Sequence, residues 1–272
     1  MSQQPLAASV RILEEIGIGP VWVRRQPAVD TTQTDAAAVP PQTMSAAGRL
    51  AIPDPVAPVS QATSAQEDSA AMVGIPSAIA TMNWDRLKET VASCRQCSLC
   101  RGRKKTAFGV GDEKAKWLFI GEGPGRNEDI QGEPFVGAAG KLLDNMLVAM
   151  GLKRGDNAYI ANIVKCRPTD DKGKDRPPSP QETASCMPYL QRQIDLIQPT
   201  ILVALGKTAA LSLLGLDPAT PVSKLRGTVH RYRNWPLIVT YHPAYLLRQP
   251  GDKRKSWADL CLAMTAYADA TH

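Results

Sequence analysis

From residue 117 onward, short apolar runs alternate with helix-patterned stretches, and this alternation constrains the fold more than any other feature of the chain. The runs are 117–120 (WLFI), 159–164 (YIANIV), 200–205 (TILVAL) and 236–242 (PLIVTYH). Each is long enough for a buried strand and too short for a buried helix. Helical patterns fall at 84–94, 138–150, 181–197, 207–215 and 255–268. The second of these carries Leu142, Leu143, Met146 and Leu147 on one face. Strand–helix alternation predicts an α/β fold, a three-layer α/β/α sandwich around a mostly parallel, four-stranded central sheet. Ligands of such sheets bind beyond the carboxyl ends of the strands. Three segments are expected there: 121–129 (GEGPGRNED), Asn162 with the following Lys165-Cys166, and 241–248 (YHPAYLLR).

The pattern does not extend to the N-terminus. Residues 1–81 hold four basic residues (Arg11, Arg24, Arg25, Arg49) against seven acidic ones, and no lysine. No aromatic lies between Trp22 and Trp84. The whole chain has a net charge of +6, so residues 82–272 carry +9. We read 1–81 as an Ala/Pro-rich, mostly disordered leader, with a short helix at 5–16. Residues 5–25 are expected to dock on a protein partner. The basic part, 82–272, is expected to be the folded domain and to bind a polyanion, most simply nucleic acid. Neither a transmembrane run nor an apolar signal-peptide core is present, so no membrane association and a cytoplasmic, nucleoid-associated setting are expected.

Six cysteines in such a setting argue for metal rather than disulfides. Cys94-x2-Cys97 follows a predicted helix, Cys166 follows a strand, and Cys186 lies in the next helix. Two local and two distant thiolates can close a tetrahedral site, and spacing alone leaves zinc and iron–sulfur both open. Cys100 extends the run to CxxCxxC and is a further candidate, while Cys261 is expected to pack in the core. The glycine-rich stretches are not nucleotide loops. Arg126 stands where a dinucleotide fingerprint needs glycine, and Ile201 stands where a phosphate loop before Gly206-Lys207-Thr208 needs one. What GEGPG does offer is Glu122 just past a strand end, beside open backbone amides.

Taken together, CRQC (94–97), FIGEGPGRNEDIQGEPFVGAAGKLL (119–143), NIVKCRP (162–168), DRPPSPQE (175–182) and YHPAYLLR (241–248) resemble the family 4, iron–sulfur, uracil-DNA glycosylases. The resemblance runs from about Trp84 to the C-terminus and leaves the leader uncovered. It implies a [4Fe–4S] cluster held by Cys94, Cys97, Cys166 and Cys186. It implies excision of uracil from DNA by a monomeric, monofunctional enzyme that leaves an abasic site. The stretch TDDKGKD (169–175) is longer than in short members and contains no histidine. A related branch that bonds covalently to DNA through a histidine here is therefore disfavoured.

In that setting each residue has an expected role. Phe135 stacks on the uracil ring, and the backbone of Gly123 contacts the base. Asn162 presents a donor and an acceptor to the O4 and N3–H edge. His242 donates to the charge developing on uracil O2, and Glu122 orients water or steadies the sugar cation. The segment Leu246-Leu247-Arg248, with Leu246 and Arg248 as its binding residues, enters the gap that the flipped nucleotide leaves. Asp129 is expected to be an ordinary acidic loop residue. The alternatives are a non-catalytic iron–sulfur DNA-binding or polymerase-associated module, and a glycosylase for another deaminated base such as hypoxanthine.

Overall fold

A computed structural model describes residues 77–271. The expectations for residues 1–76, including the helix at 5–16 and the docking peptide, lie outside the described residues. Four parallel strands form the centre of the sheet: β2 (Trp117–Gly121), β3 (Ala158–Asn162), β4 (Ile201–Leu205) and β6 (Trp235–Thr240). They match the four expected runs. All residues of β2, β3 and β4 are buried, as in a sheet covered on both faces.

The sheet has six strands rather than four, in the order β1-β3-β2-β4-β6-β5. The additions are antiparallel edges, β1 (Val110–Gly111) on β3 and β5 (Val229–Tyr232) on β6. Neither writes an apolar run. β1 is two residues long, and β5 reads VHRY with Val229 and Arg231 exposed.

Alternate residues of each strand serve opposite layers. Leu118, Ile120, Tyr159, Ala161, Leu202, Ala204, Leu237 and Val239 share one core. That core is closed by Leu87 and Val91 of α2 (Trp84–Ser93), by Leu190 and Ile194 of α5 (Pro180–Ile197), and by Ala210 and Leu213 of α6 (Lys207–Leu214). Trp117, Phe119, Ile160, Val203 and Ile238 face the other way. There they meet Leu143 and Leu147 of α4 (Ala138–Ala149) and Leu260 and Ala263 of α8 (Lys253–Thr271).

The described residues already include packed structure before residue 82, the boundary expected from composition. Helix α1 (Ser77–Ala80) precedes it, Ile79 and Met82 pack on the first core, and Arg192 Nε donates to the Met82 carbonyl at 2.7 Å. Two short helices were not expected, α3 (Arg126–Gln131) and α7 (Pro243–Arg248). Both start where the chain leaves a parallel strand. No helix among the described residues is long and apolar enough to cross a membrane.

Candidate active site

The carboxyl ends of β2, β3, β4 and β6 open onto one cleft of about 500 Å³. Glu122, Gly123, Phe135, Asn162, His242 and Arg248 all line it. These six come from four separate stretches of sequence, and the parallel sheet brings them together. Gly121 pairs with Asn162 in register, and the ladder continues past both strands. Ile163 N donates to Gly121 O at 2.9 Å, and Val164 N to Glu122 O at 3.2 Å. The relative height of Glu122 and Asn162 is thus set by backbone hydrogen bonds.

Asn162 is only 1% exposed, and its Oδ1 is buried without a protein hydrogen-bond partner. A buried polar atom left so is costly unless something else meets it. Gly121 lies directly against it. A Cβ there would fall 2.4 Å from Asn162 Oδ1 and 2.6 Å from the Phe135 ring, so any side chain would displace both. The Phe135 ring lies against His242, centroids 5.5 Å apart and 27° between planes.

His242 caps α7. Its Nδ1 accepts from Ala244 N at 3.1 Å, which assigns the ring proton to Nε2. Burial, aided by Arg248, pushes its pKa down to about 4, with Glu128 opposing. The ring is therefore neutral at pH 7 and still a donor. Behind it, Arg226 stacks on Tyr241 at 4.2 Å and pairs with the buried Asp259 at 2.7 Å. This anchors the exit of β6.

Several contributors lay outside the expected set. Thr208 Oγ1 donates to Glu122 Oε2 and orients that carboxylate. Nothing local in the sequence signals this partnership, because Thr208 lies 86 positions from Glu122. Glu128 Oε1 accepts from Val136 N and Gly137 N, at 3.0 and 3.1 Å, and brackets the loop behind Phe135. Lys207 lines the cleft, as Arg248 does, and supplies a second cation. Arg176 also lines it, but its guanidinium is taken by the buried Glu182 at 2.7 and 2.8 Å. That pairing holds the Glu182 pKa down at about 2. Glu182 also accepts from Ser98, between Cys97 and Cys100, at 3.1 Å.

Two expected residues differ from their reading. Leu246 is 1% exposed and packs inward, whereas Leu247 is 44% exposed. The segment is helical, so neighbouring residues point in directions about 100° apart, and only one of the pair can face out. Leu246 is therefore a core residue. Asp129, 3% exposed, accepts from Lys104 N at 2.8 Å and does not line the cleft.

Cys94, Cys97, Cys166 and Cys186 line a second, smaller pocket on the α2–α5 side, and Cys100 lines it too. All are free of disulfides. Three donors reach the sulfurs: Tyr189 Oη to Cys94 at 3.4 Å, Arg103 Nη1 to Cys166 at 3.3 Å, and Lys165 N to Cys186 at 3.3 Å. Burial raises the thiol pKa values of Cys97 and Cys166, and pushes Cys186 up to about 12. The nearby cations Arg103 and Lys165 act in the opposite sense, favouring thiolate. Among the described residues, no three His, Cys, Asp or Glu side chains group as ligands of a single ion. Lys165 is itself fully buried, its pKa lowered to about 8 by desolvation. Its Nζ donates to the Asn162 carbonyl at 2.9 Å and to Gln193 Oε1 at 2.6 Å. The cysteine pocket and the cleft are thus joined through one short stretch of chain. Cys261, on α8, lines neither pocket and is half-buried rather than packed in the core as expected.

Comparison with known proteins agrees with this geometry. Residues 108–263 match the model of the uracil DNA glycosylase superfamily. The type-4 uracil-DNA glycosylase of Archaeoglobus fulgidus is 43% identical, across 61% of this chain and 84% of its own length. That of Pyrobaculum aerophilum is 37% identical, across 66% and 93%. That of Thermotoga maritima is 41% identical, across 60% and 82%. The superfamily match takes in the strands, the cleft and the segments carrying its polar residues, and the chain belongs to the type-4 uracil-DNA glycosylases of the uracil-DNA glycosylase superfamily.

Proposed function

We propose that the cleft excises uracil from DNA by hydrolysing the N-glycosidic bond, and that Asn162 reads the base. The observation that carries this is the buried, unpartnered Oδ1 of Asn162 beside the Phe135 ring. Uracil offers N3–H to that acceptor, and its O4 takes a hydrogen from the same amide. Cytosine offers the reverse pattern, and a site built on such bonds rejects the mismatch strongly.

The base must leave the duplex to reach this depth. Phe135 stacks on it, the backbone of Gly123 borders it, and Lys207 with Arg248 hold flanking phosphates. Leu247, not Leu246, fills the gap left behind. The C1′–N1 bond then breaks, and its electron pair departs with uracil as the anion. The neutral Nε2–H of His242 donates to O2 and stabilises that charge without giving up its proton. Glu122, steadied by Thr208, faces the sugar cation and orients the water whose oxygen bonds to C1′. The water proton passes to Glu122 or solvent, and the released base is protonated by solvent. An abasic site remains.

The cysteine set and its three donors suit a [4Fe–4S] cluster held by Cys94, Cys97, Cys166 and Cys186, with Cys100 outside it. When bound, the cluster supplies structural cross-linking of the loop after α2, the exit of β3 and the start of α5. The reading includes a monomer working at the nucleoid. A non-catalytic DNA-binding module gives no reason for Glu122, Asn162 and His242 to converge on one cleft.

The test is single-turnover excision from uracil-containing oligonucleotides. Asn162→Asp should lose most uracil excision and gain measurable cytosine excision. An Asn162→Asp enzyme with wild-type uracil rates and no cytosine activity overturns the base-reading role. A panel containing hypoxanthine decides the range of bases.

A further inference from the structure

Phe135 is held in a backbone state that a side-chain-bearing residue seldom occupies, with φ at 56°. Such states persist where the surroundings over-determine them. Three ties do so here. Gly140 of α4 lets the Phe135 carbonyl come so close that a Cβ would lie 1.8 Å from its oxygen. Glu128 grips the next two amides. The third tie is Arg154, on the turn closed by the Lys153–Asp156 bridge.

Arg154 Nη1 donates to the Pro134 carbonyl at 2.9 Å, and Nη2 to the Phe135 carbonyl at 2.8 Å. Its Nε donates to Asp144 Oδ1 at 2.9 Å, and Nη1 lies 3.5 Å from Glu133 Oε1. One planar fork thus binds two successive carbonyls while α4 fixes its own orientation. A lysine could not match that geometry. Arg154 does not line the cleft.

We infer that Arg154 is a positioning residue for base recognition, fixing the Phe135 ring against Gly121 and Asn162. The inference rests on the reading of Phe135 as the stacking partner of uracil. Arg154 touches no substrate. It sets the height and tilt of the platform, and a displacement of about 1 Å there costs up to about a hundredfold in rate.

A double-mutant cycle separates this from general stabilisation. Phe135→Ala, Arg154→Ala, Arg154→Lys and the Phe135→Ala/Arg154→Ala pair are compared by single-turnover excision, inhibition by free uracil and thermal melting. Arg154→Ala should slow excision about tenfold and weaken free-uracil inhibition by a similar factor, with lysine restoring little of either. In the Phe135→Ala background the same change should cost less than about twofold, because the ring it positions is gone. Equal losses in both backgrounds overturn the inference, as does an Arg154→Ala enzyme with wild-type rate and inhibition. A Phe135→Ala enzyme with wild-type rates instead overturns the stacking role, and the inference with it. Should Arg154→Ala fail to fold, Asp144→Asn loosens the same fork and should give a smaller loss that likewise vanishes without Phe135.

Discussion

His242 can donate into the cleft because its other nitrogen already accepts the Ala244 amide. Removing it should lower excision by about 10²–10³, the usual cost of one oxyanion donor. Its pH behaviour follows from the lowered pKa of about 4. An unfolded histidine takes up its proton near 6.5, while the folded one stays neutral until about pH 4. Between these values the unfolded state binds more protons, so this group makes stability rise with pH. Activity should show no acid limb near pH 6.5, and nitrogen NMR of the ring should find it neutral at pH 6. Titration of His242 near 6.5 would contradict the assignment. Asn162, Glu122 and His242 were legible because each lies at or just past the carboxyl end of a strand, where a parallel sheet must place its ligand. Thr208 and Arg154 were not. Thr208 meets Glu122 across 86 positions, and Arg154 meets Phe135 across 19, so neither partnership leaves a local pattern.

Among the elements, the buried parallel strands announced themselves and the edges did not. A strand covered on both faces must be continuously apolar, whereas β5 needs apolar residues on neither its outer edge nor its exposed face. The six-residue helix α7 is hard to read from sequence because it is too short to carry a long periodic stripe, even though Pro243 at its first position suits a helix start. Its helical rotation decides which leucine faces out: Leu247 is exposed and Leu246 is buried. Leu247→Ala should slow excision from duplex DNA more than from single strands, with little change in melting temperature. Leu246→Ala should instead destabilise the fold by about 2–5 kcal/mol, measured by denaturant unfolding. Equal substrate effects of the two changes would show that neither acts as a wedge.

Over the whole molecule, the division between an acidic leader and a basic domain is plain in the sequence, but its position is not. Composition places it near residue 82, while Ile79 and Met82 pack on the core beside α5. A chain starting at residue 77 should cleave naked uracil-DNA at close to the full-length rate. A chain starting at residue 84 loses both side chains and the Met82 carbonyl that Arg192 holds, and it should melt at a lower temperature. A large loss of activity in the first truncation would show that the leader takes part in DNA binding. The cysteines were found as a set, yet their tie to the cleft was hidden, because Lys165 reads from sequence as one more surface cation.

The alternating allegiance of β3 governs where this protein can change length. Ala158 and Ile160 face one core, and Tyr159 and Ala161 the other. Deleting Ala161 alone would turn Asn162 onto the α2–α5 side and bring Ile163 to the mouth of the cleft. Alternatively the strand would slip and exchange Tyr159 with Ile160. By contrast, Gly173 in the 169–175 hairpin has open space around it. Insertions and deletions between homologues should therefore collect in that hairpin, while β2 and β3 keep their residue count even where their side chains diverge.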